Sequence, residues 1–379
     1  MNSTEQAVLG LLSESLFGIP AQLPDGGDWN EVFQEAQDQT VSGLMGGQEF
    51  QKAIPESKIL QYQIITNSVQ HLHEQYEVVK LLERHDIPSA ILKGSAAAIY
   101  YPQPCLRTMG DIDIIVPQNC FEAATELMTR NGYTDLTADS NLRHTEFSKN
   151  GILIELHHHF SGKDLDLEQY IIEGLNQRET AKINGISFPM LPPIANGVVL
   201  LDHMKKHLRS GLGLRQVIDW MMYVDKVLDN ENWEKSFKGI IEELGLEKLA
   251  ITVTRMCQIY LGLSERITWC QEADEKLCKR LIEVVLSSGN FGRKNDSGNR
   301  VESVFVKARR GGLFRYLQEN GEKNWEVFKR YGWLRPFCWI YQICYFIRCG
   351  IATKRGFILF MDLKRSKERY ALLKELHIE

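Results

Sequence analysis

The chain has 379 residues and a formal charge of −5 at pH 7, with 44% hydrophobic and 25% charged residues. That length exceeds what one hydrophobic core usually supports, so two or three structural units are expected, and the composition excludes a disordered or fibrous chain. The charge is uneven: from Ser303 to Glu379 sixteen Lys and Arg face seven Asp and Glu, which leaves the rest of the chain acidic and argues against nucleic acid as the natural partner.

The N-terminus lacks the basic start and unbroken apolar run of a secretory signal, because Glu5 and Glu14 interrupt it, and a cytoplasmic location is expected. Apolar residues Ile64, Val69, Leu72, Tyr76, Val79 and Leu82, three to five apart in a stretch free of Pro and Gly, predict a long helix that packs on the next structural unit. The character then changes. A short apolar run (Pro88–Leu92), a Gly94-Ser95 turn, a small-residue helix (Ala96–Tyr100) and a β-branched strand (Ile112–Val116) come in turn. A helix from Cys120 to Asn131, with Gly132 at the C-terminal cap position, leads to another strand near Tyr133. Arg143–Ser148 and Ile152–Leu156 flank Lys149-Asn150-Gly151 and read as a hairpin, since Asn-Gly supplies the positive φ angles of a tight turn.

After Pro192-Pro193 the pattern is almost wholly helical, over Asn196–Arg209, Leu214–Val227, Trp233–Leu244, Leu246–Leu261 and Asp274–Ser287. The apolar stretch Pro336–Ile347 is too short to cross a bilayer, which takes about 20 residues. The eight cysteines are scattered, with no CxxC pair, and read as free thiols. The fold class expected is α+β, a short mixed sheet flanked by helices and followed by a mostly helical C-terminal region. The expected divisions are 1–85 (helical), 86–190 (sheet), 191–300 (helical, closing a cleft) and 301–379 (a basic helical extension).

Chemistry concentrates in LKGSAAAIYYPQPCLRTMGDIDIIVP. On a strand, residues two apart face the same side, so Asp111 and Asp113 would present both carboxylates together while Ile112 enters the core. Two such carboxylates repel unless a cation joins them, and hard oxygen donors suit Mg²⁺ or Mn²⁺. Gly94-Ser95, between a strand and a helix, offers backbone N–H groups and a missing Cβ to a phosphate; a plain Ser95 helix cap remains the alternative. His157, His158 and His159 invite a zinc reading, but strand alternation sends His158 away from the other two.

The order Leu92-Lys93-Gly94, Arg107, Asp111 to Ile114, then Glu155-Leu156-His157 resembles the polymerase-β-like nucleotidyltransferase superfamily, closest to its little-characterised bacterial "nucleotidyltransferase family protein" branch. The likeness covers residues 60 to 160 well and the rest loosely, through Gly211–Trp220 and Phe291–Arg293. It implies a site in which Asp111, Asp113 and a third acid hold two metal ions; Glu155 is the candidate, where an Asp is more usual. It also implies transfer of a nucleoside monophosphate from an NTP, ATP foremost, to an acceptor on a small molecule or protein. Lys93, Gly94, Ser95, Arg107 and His157 would bind the nucleotide. A non-catalytic nucleotide-binding module of the same fold is the alternative. His203, His207, Arg215 and Asp219 stand at helical spacing on the lobe that would close over the site, as acceptor contacts or as interhelical polar contacts.

Overall fold

The computed structural model describes residues 1–21, 28–137, 144–160, 165–208, 211–290, 313–352 and 358–378. Seven strands form one mixed sheet in the order β3-β4-β5-β2-β1-β7-β6. They are β1 (Ala90–Leu92), β2 (Ile112–Ile115), β3 (Thr134–Asp135), β4 (His144–Lys149), β5 (Ile152–His157), β6 (Glu179–Ile183) and β7 (Ile186–Met190). The centre is mixed in direction: β1 runs antiparallel to β2 and parallel to β7, and β2 runs parallel to β5. Two hairpins complete the sheet, β4–β5 and β6–β7. Both turn through Asn-Gly pairs, Asn150-Gly151 and Asn184-Gly185, with positive φ at all four residues. The second hairpin is an addition to the elements expected from sequence, although the same turn signal stands there.

Helices α1 (Ser3–Phe17), α2 (Trp29–Asp38), α3 (Gln48–Ala53) and α4 (Pro55–Glu83) precede the sheet. The long helix expected around Ile64 to Leu82 is α4, and Ile64, Leu72, Val79 and Leu82 are buried as its pattern requires. Val69 and Tyr76 are not part of that buried stripe; they are 47% and 37% exposed, because the helix lies against the sheet on one side only.

Period-two alternation sorts the sheet into two faces. Ile91, Ile112, Ile114, Ile154 and Leu156 pack with α4 and with α6 (Phe121–Arg130) in one apolar cluster. Ala90, Leu92 and Ile115 turn the other way, into a second cluster shared with α7 (Leu165–Asn176), α8 (Pro193–Leu208) and α9 (Leu214–Lys226). The chain leaves the sheet at Met190 and enters α8 at Pro193, a residue suited to a helix start because its missing N–H would be unpaired there in any case.

The helical part continues through α10 (Asn230–Asn232), a π turn at Trp233–Phe237, α11 (Lys238–Glu243), α12 (Glu247–Leu261) and α13 (Glu275–Ser288). The N-terminal helices belong to this core as well: Gln39 Nε2 donates to the carbonyl of Leu286 at 3.1 Å, and its Oε1 accepts from the N–H of Leu214 at 3.0 Å. In the basic extension, helices Leu313–Asn324 and Cys338–Ala352 pack on each other. The last helix, Ile358–Glu375, returns to α13, where Leu372, Leu373 and Leu376 are buried. Arg143, Arg209 and Phe291–Arg293, which the sequence pattern singles out, lie outside the described residues. Among the described residues no cysteine is in a disulfide, and no helix is long and apolar enough to cross a membrane.

Candidate active site

The site lies on the sheet face that looks toward the helical part. Ile112 and Ile114 are buried among α4 and α6, so Asp113 between them must point the opposite way. In register, Asp113 stands beside Glu155 of β5, and Glu155 stands beside Glu146 of β4. Asp111 sits one residue ahead of β2 rather than within it, yet the spacing of two still brings it to the same side. Asp111, Asp113 and Glu155 each offer a carboxylate oxygen within 4.8 Å of the others. The strand carrying Glu155 extends to His157, one residue beyond the end expected from sequence.

Lys93 Nζ lies 2.6 Å from Asp113 Oδ1. His157 Nε2 lies 3.1 Å from that same oxygen and 3.1 Å from Glu155 Oε2, bridging two of the three carboxylates. These contacts set the charges. For Asp113 burial opposes ionisation, but Lys93 and His157 overcome it and hold the carboxyl well below its usual range. Glu155 is lowered chiefly by the hydrogen bond from His157, against burial and the charge of Asp113. Burial works against charge on His157 and Lys93 too, yet their acidic partners raise both. Asp111 is pushed up to about 6 by burial of its carboxyl and by the neighbouring charges of Asp113 and Glu155, although the residue as a whole is exposed.

Three carboxylates against Lys93 and His157 leave a surplus negative charge. A divalent cation would neutralise it, and three hard oxygens are the donors such an ion prefers. The residues present therefore fit Mg²⁺ or Mn²⁺.

The turn beside the carboxylates is unusual in backbone. Lys93 has φ 51° and ψ −145°, and Gly94 comes next with φ 40°. A lysine held in the left-handed half of conformational space costs about 1–3 kcal/mol, a strain typical of functional turns. Here it delivers the ammonium to Asp113. Ser95 does not cap the helix α5 (Gly94–Ala98), because Lys93 occupies the cap position; the Ser95 hydroxyl donates instead to Gln75 Oε1 of α4 at 2.5 Å. Gln75, Gly94, Ser95, Met109, Asp111 and Asp113 are among the residues lining a small crevice at this spot.

Arg107 is placed differently from Lys93. Its Nε and Nη2 donate to the two oxygens of Asp219 at 2.6 and 2.7 Å, and Tyr101 Oη adds a third bond to Asp219 at 2.6 Å. The fork is thus committed to α9. One turn earlier on α9, Arg215 Nη1 donates to the carbonyl of Thr108 at 3.2 Å. Arg215 and Asp219 together clamp the loop that leads into Asp111.

His203 and His207 of α8 share a hydrogen bond of 2.8 Å between their Nε2 atoms. Burial first, then the charge of Lys93, lowers His207 to about 4 and His203 well below its ordinary value, so α8 presents neutral imidazoles near the site. Of the histidine run, only His157 joins the carboxylates. His158 packs on the Phe121 ring, with centroids 4.0 Å apart, and His159 Nδ1 lies 3.3 Å from Glu168.

Sequence reasoning passed over His144, which stands opposite His157 in the β4–β5 register. The signal was available. With the turn fixed at Asn150-Gly151, Lys149 pairs with Ile152, and counting outward along both strands brings His144 to His157.

A family profile described as "Uncharacterised nucleotidyltransferase" matches residues 25–262. No curated protein matches the chain. Among similar solved structures is an antigenic nucleotidyltransferase-like protein from Paracoccidioides brasiliensis, 14% identical, covering 51% of this chain and 92% of that one at a TM-score of 0.35, a likeness too loose to bear on the site. The profile spans the sheet, the carboxylates and the helices that clamp them, and the chain belongs to the uncharacterised nucleotidyltransferase family.

Proposed function

We propose that this chain transfers a nucleoside monophosphate from an NTP, ATP foremost, to a hydroxyl or similar acceptor on a small molecule or protein, with release of pyrophosphate. One observation carries the reading. Asp111, Asp113 and Glu155 bring oxygens within 4.8 Å of one another, next to a turn with successive positive φ angles at Lys93 and Gly94.

In the reaction the acceptor oxygen attacks the α-phosphorus, the bond to the bridging oxygen of the β-phosphate breaks, and the acceptor proton is lost. Two Mg²⁺ or Mn²⁺ ions held by Asp111, Asp113 and Glu155 would supply Lewis acidity for the acceptor hydroxyl and counter-charge for the triphosphate. The protein's own part is positioning. Lys93 and His157 fix the orientation of Asp113 and Glu155 through their 2.6 and 3.1 Å contacts. Gly94, without a Cβ, leaves the backbone open to phosphate oxygens. Arg215 and Asp219 hold the loop before Asp111, so the first carboxylate enters the site from a restrained segment.

ATP labelled at the α-phosphate, incubated with Mg²⁺ and a broad acceptor panel, tests the proposal. Transfer of the α-label with pyrophosphate released is expected. Release of the γ-phosphate alone would contradict it. The ammonium of Lys93 already on Asp113 favours the second reading, a nucleotide-binding module without turnover, and ATP binding with no transfer to any acceptor would establish that instead.

A further inference from the structure

We infer that β4 and β5 carry a second metal site, of mixed nitrogen and oxygen donors, formed by His144, Glu155 and His157 and suited to Zn²⁺ or a similar first-row divalent ion. The inference goes beyond nucleotidyl transfer and does not require it.

The antiparallel register makes a square of metal-ligating side chains. His144 faces His157 and Glu146 faces Glu155, all four on one side of the hairpin. The rings of His144 and His157 lie 5.0 Å apart, tilted by 44°. Each of His144, Glu155 and His157 offers a ligand atom within 4.8 Å of the others, and His157 Nε2 is already 3.1 Å from Glu155 Oε2. Zinc bonds to His nitrogen and carboxylate oxygen of about 2.0–2.2 Å place donors about 3–3.6 Å apart. The His157–Glu155 pair meets that spacing as it stands, and the His144 donor, within 4.8 Å of the others, must move closer to complete the set.

Donor chemistry separates this set from its neighbour. Three carboxylates suit Mg²⁺ or Mn²⁺, whereas two imidazoles and one carboxylate suit Zn²⁺, Co²⁺ or Fe²⁺. Asp113 lies between the two sets, its Oδ1 2.6 Å from Lys93 Nζ and 3.1 Å from His157 Nε2. Glu146 stands at the remaining corner, its Oε1 3.5 Å from His144 Nε2, where it would orient the imidazole or complete the coordination. Binding would replace the contacts that His157 Nε2 makes with Asp113 and Glu155 by a bond to the ion. Glu155, common to both sets, would lie between two ions of different hardness.

Co²⁺, which takes zinc sites and reports its ligands through visible absorption, is the probe. Purified protein stripped of metal should bind one Co²⁺ with an intense visible band that survives millimolar Mg²⁺ and also survives Asp111→Asn. His144→Gln, close to the histidine in size, and His144→Ala should each weaken that binding by at least about tenfold. Circular dichroism confirms that both variants fold. The readout is equilibrium binding, so it stands whether or not nucleotidyl transfer is found. Absence of the band in the parent protein, its persistence in both folded His144 variants, or its loss in Asp111→Asn alone would overturn the site.

Discussion

Arg107 and Asp219, 112 residues apart, meet in a two-pronged ion pair with Nε–Oδ1 2.6 Å and Nη2–Oδ2 2.7 Å, both side chains almost wholly buried. The pair ties the loop before β2 to α9, and therefore ties the carboxylates to the helical part. Tyr101 supplies a further donor, so the buried charge of Asp219 is well satisfied.

Removing one partner of such a pair leaves an uncompensated charge in the interior. Asp219→Asn or Arg107→Ala is expected to destabilise the fold by about 3–5 kcal/mol in denaturant titration. Arg107→Lys, which keeps the charge but loses the planar fork, should fall between these and the parent. A loss under about 1 kcal/mol for Asp219→Asn would mean that the pair does not hold the two parts together.

Asp111 gives a prediction with the opposite sign. Its carboxyl is raised from an ordinary 3.8 to about 6, so the folded protein favours the protonated form and loses stability as pH rises through that window. Asp111→Asn removes the penalty. Without metal, the variant should melt with the parent near pH 4 and above it at pH 7.5. Solvent screening at this exposed residue holds the gain to about 1 kcal/mol, or roughly 1 °C in a protein of this size. An Asn variant that melts lower at neutral pH would contradict crowding of the three carboxylates.

The same titration bears on the ion. Metal must displace the Asp111 proton, so Mn²⁺ affinity, followed by its paramagnetic signal, should fall steadily below pH about 6. A pH-independent affinity between 5 and 8 would place the ion elsewhere.

Glu155→Gln should lower turnover by at least about a hundredfold, the change expected when a direct ligand is lost. A near-normal rate would move the third ligand to Glu146, the cross-strand neighbour of Glu155.

Gly94 occupies a left-handed conformation at φ 40°, and the nearest atom to an added Cβ is Asp111 O at 3.9 Å, so space is not the constraint. Gly94→Ala should therefore cost about 1–2 kcal/mol through backbone strain alone. Its effect on turnover should exceed its effect on the melting temperature, if the turn meets phosphate.

Much of this was legible in the chain. The spacing of Asp111 and Asp113, with Ile112 between, fixed their shared face, and Asn150-Gly151 marked the hairpin that brings Glu155 and His157 alongside. The pairing of Arg107 with Asp219 was not readable, because nothing local joins residues on a loop and a distant helix. Nor was Lys93 on Asp113: a positive φ at a lysine is imposed by its surroundings and has no signature in composition. The β6–β7 hairpin and His144 were different, since the Asn184-Gly185 turn and the strand register stood in the sequence and only needed counting.

The most direct test of the carboxylate cluster is ATP turnover with Mg²⁺ by the parent protein and by the Asp111→Asn, Asp113→Asn double variant. Turnover that depends on Mg²⁺ in the parent and disappears in a variant still folded by circular dichroism is the expected result. Undiminished turnover in the double variant would contradict it.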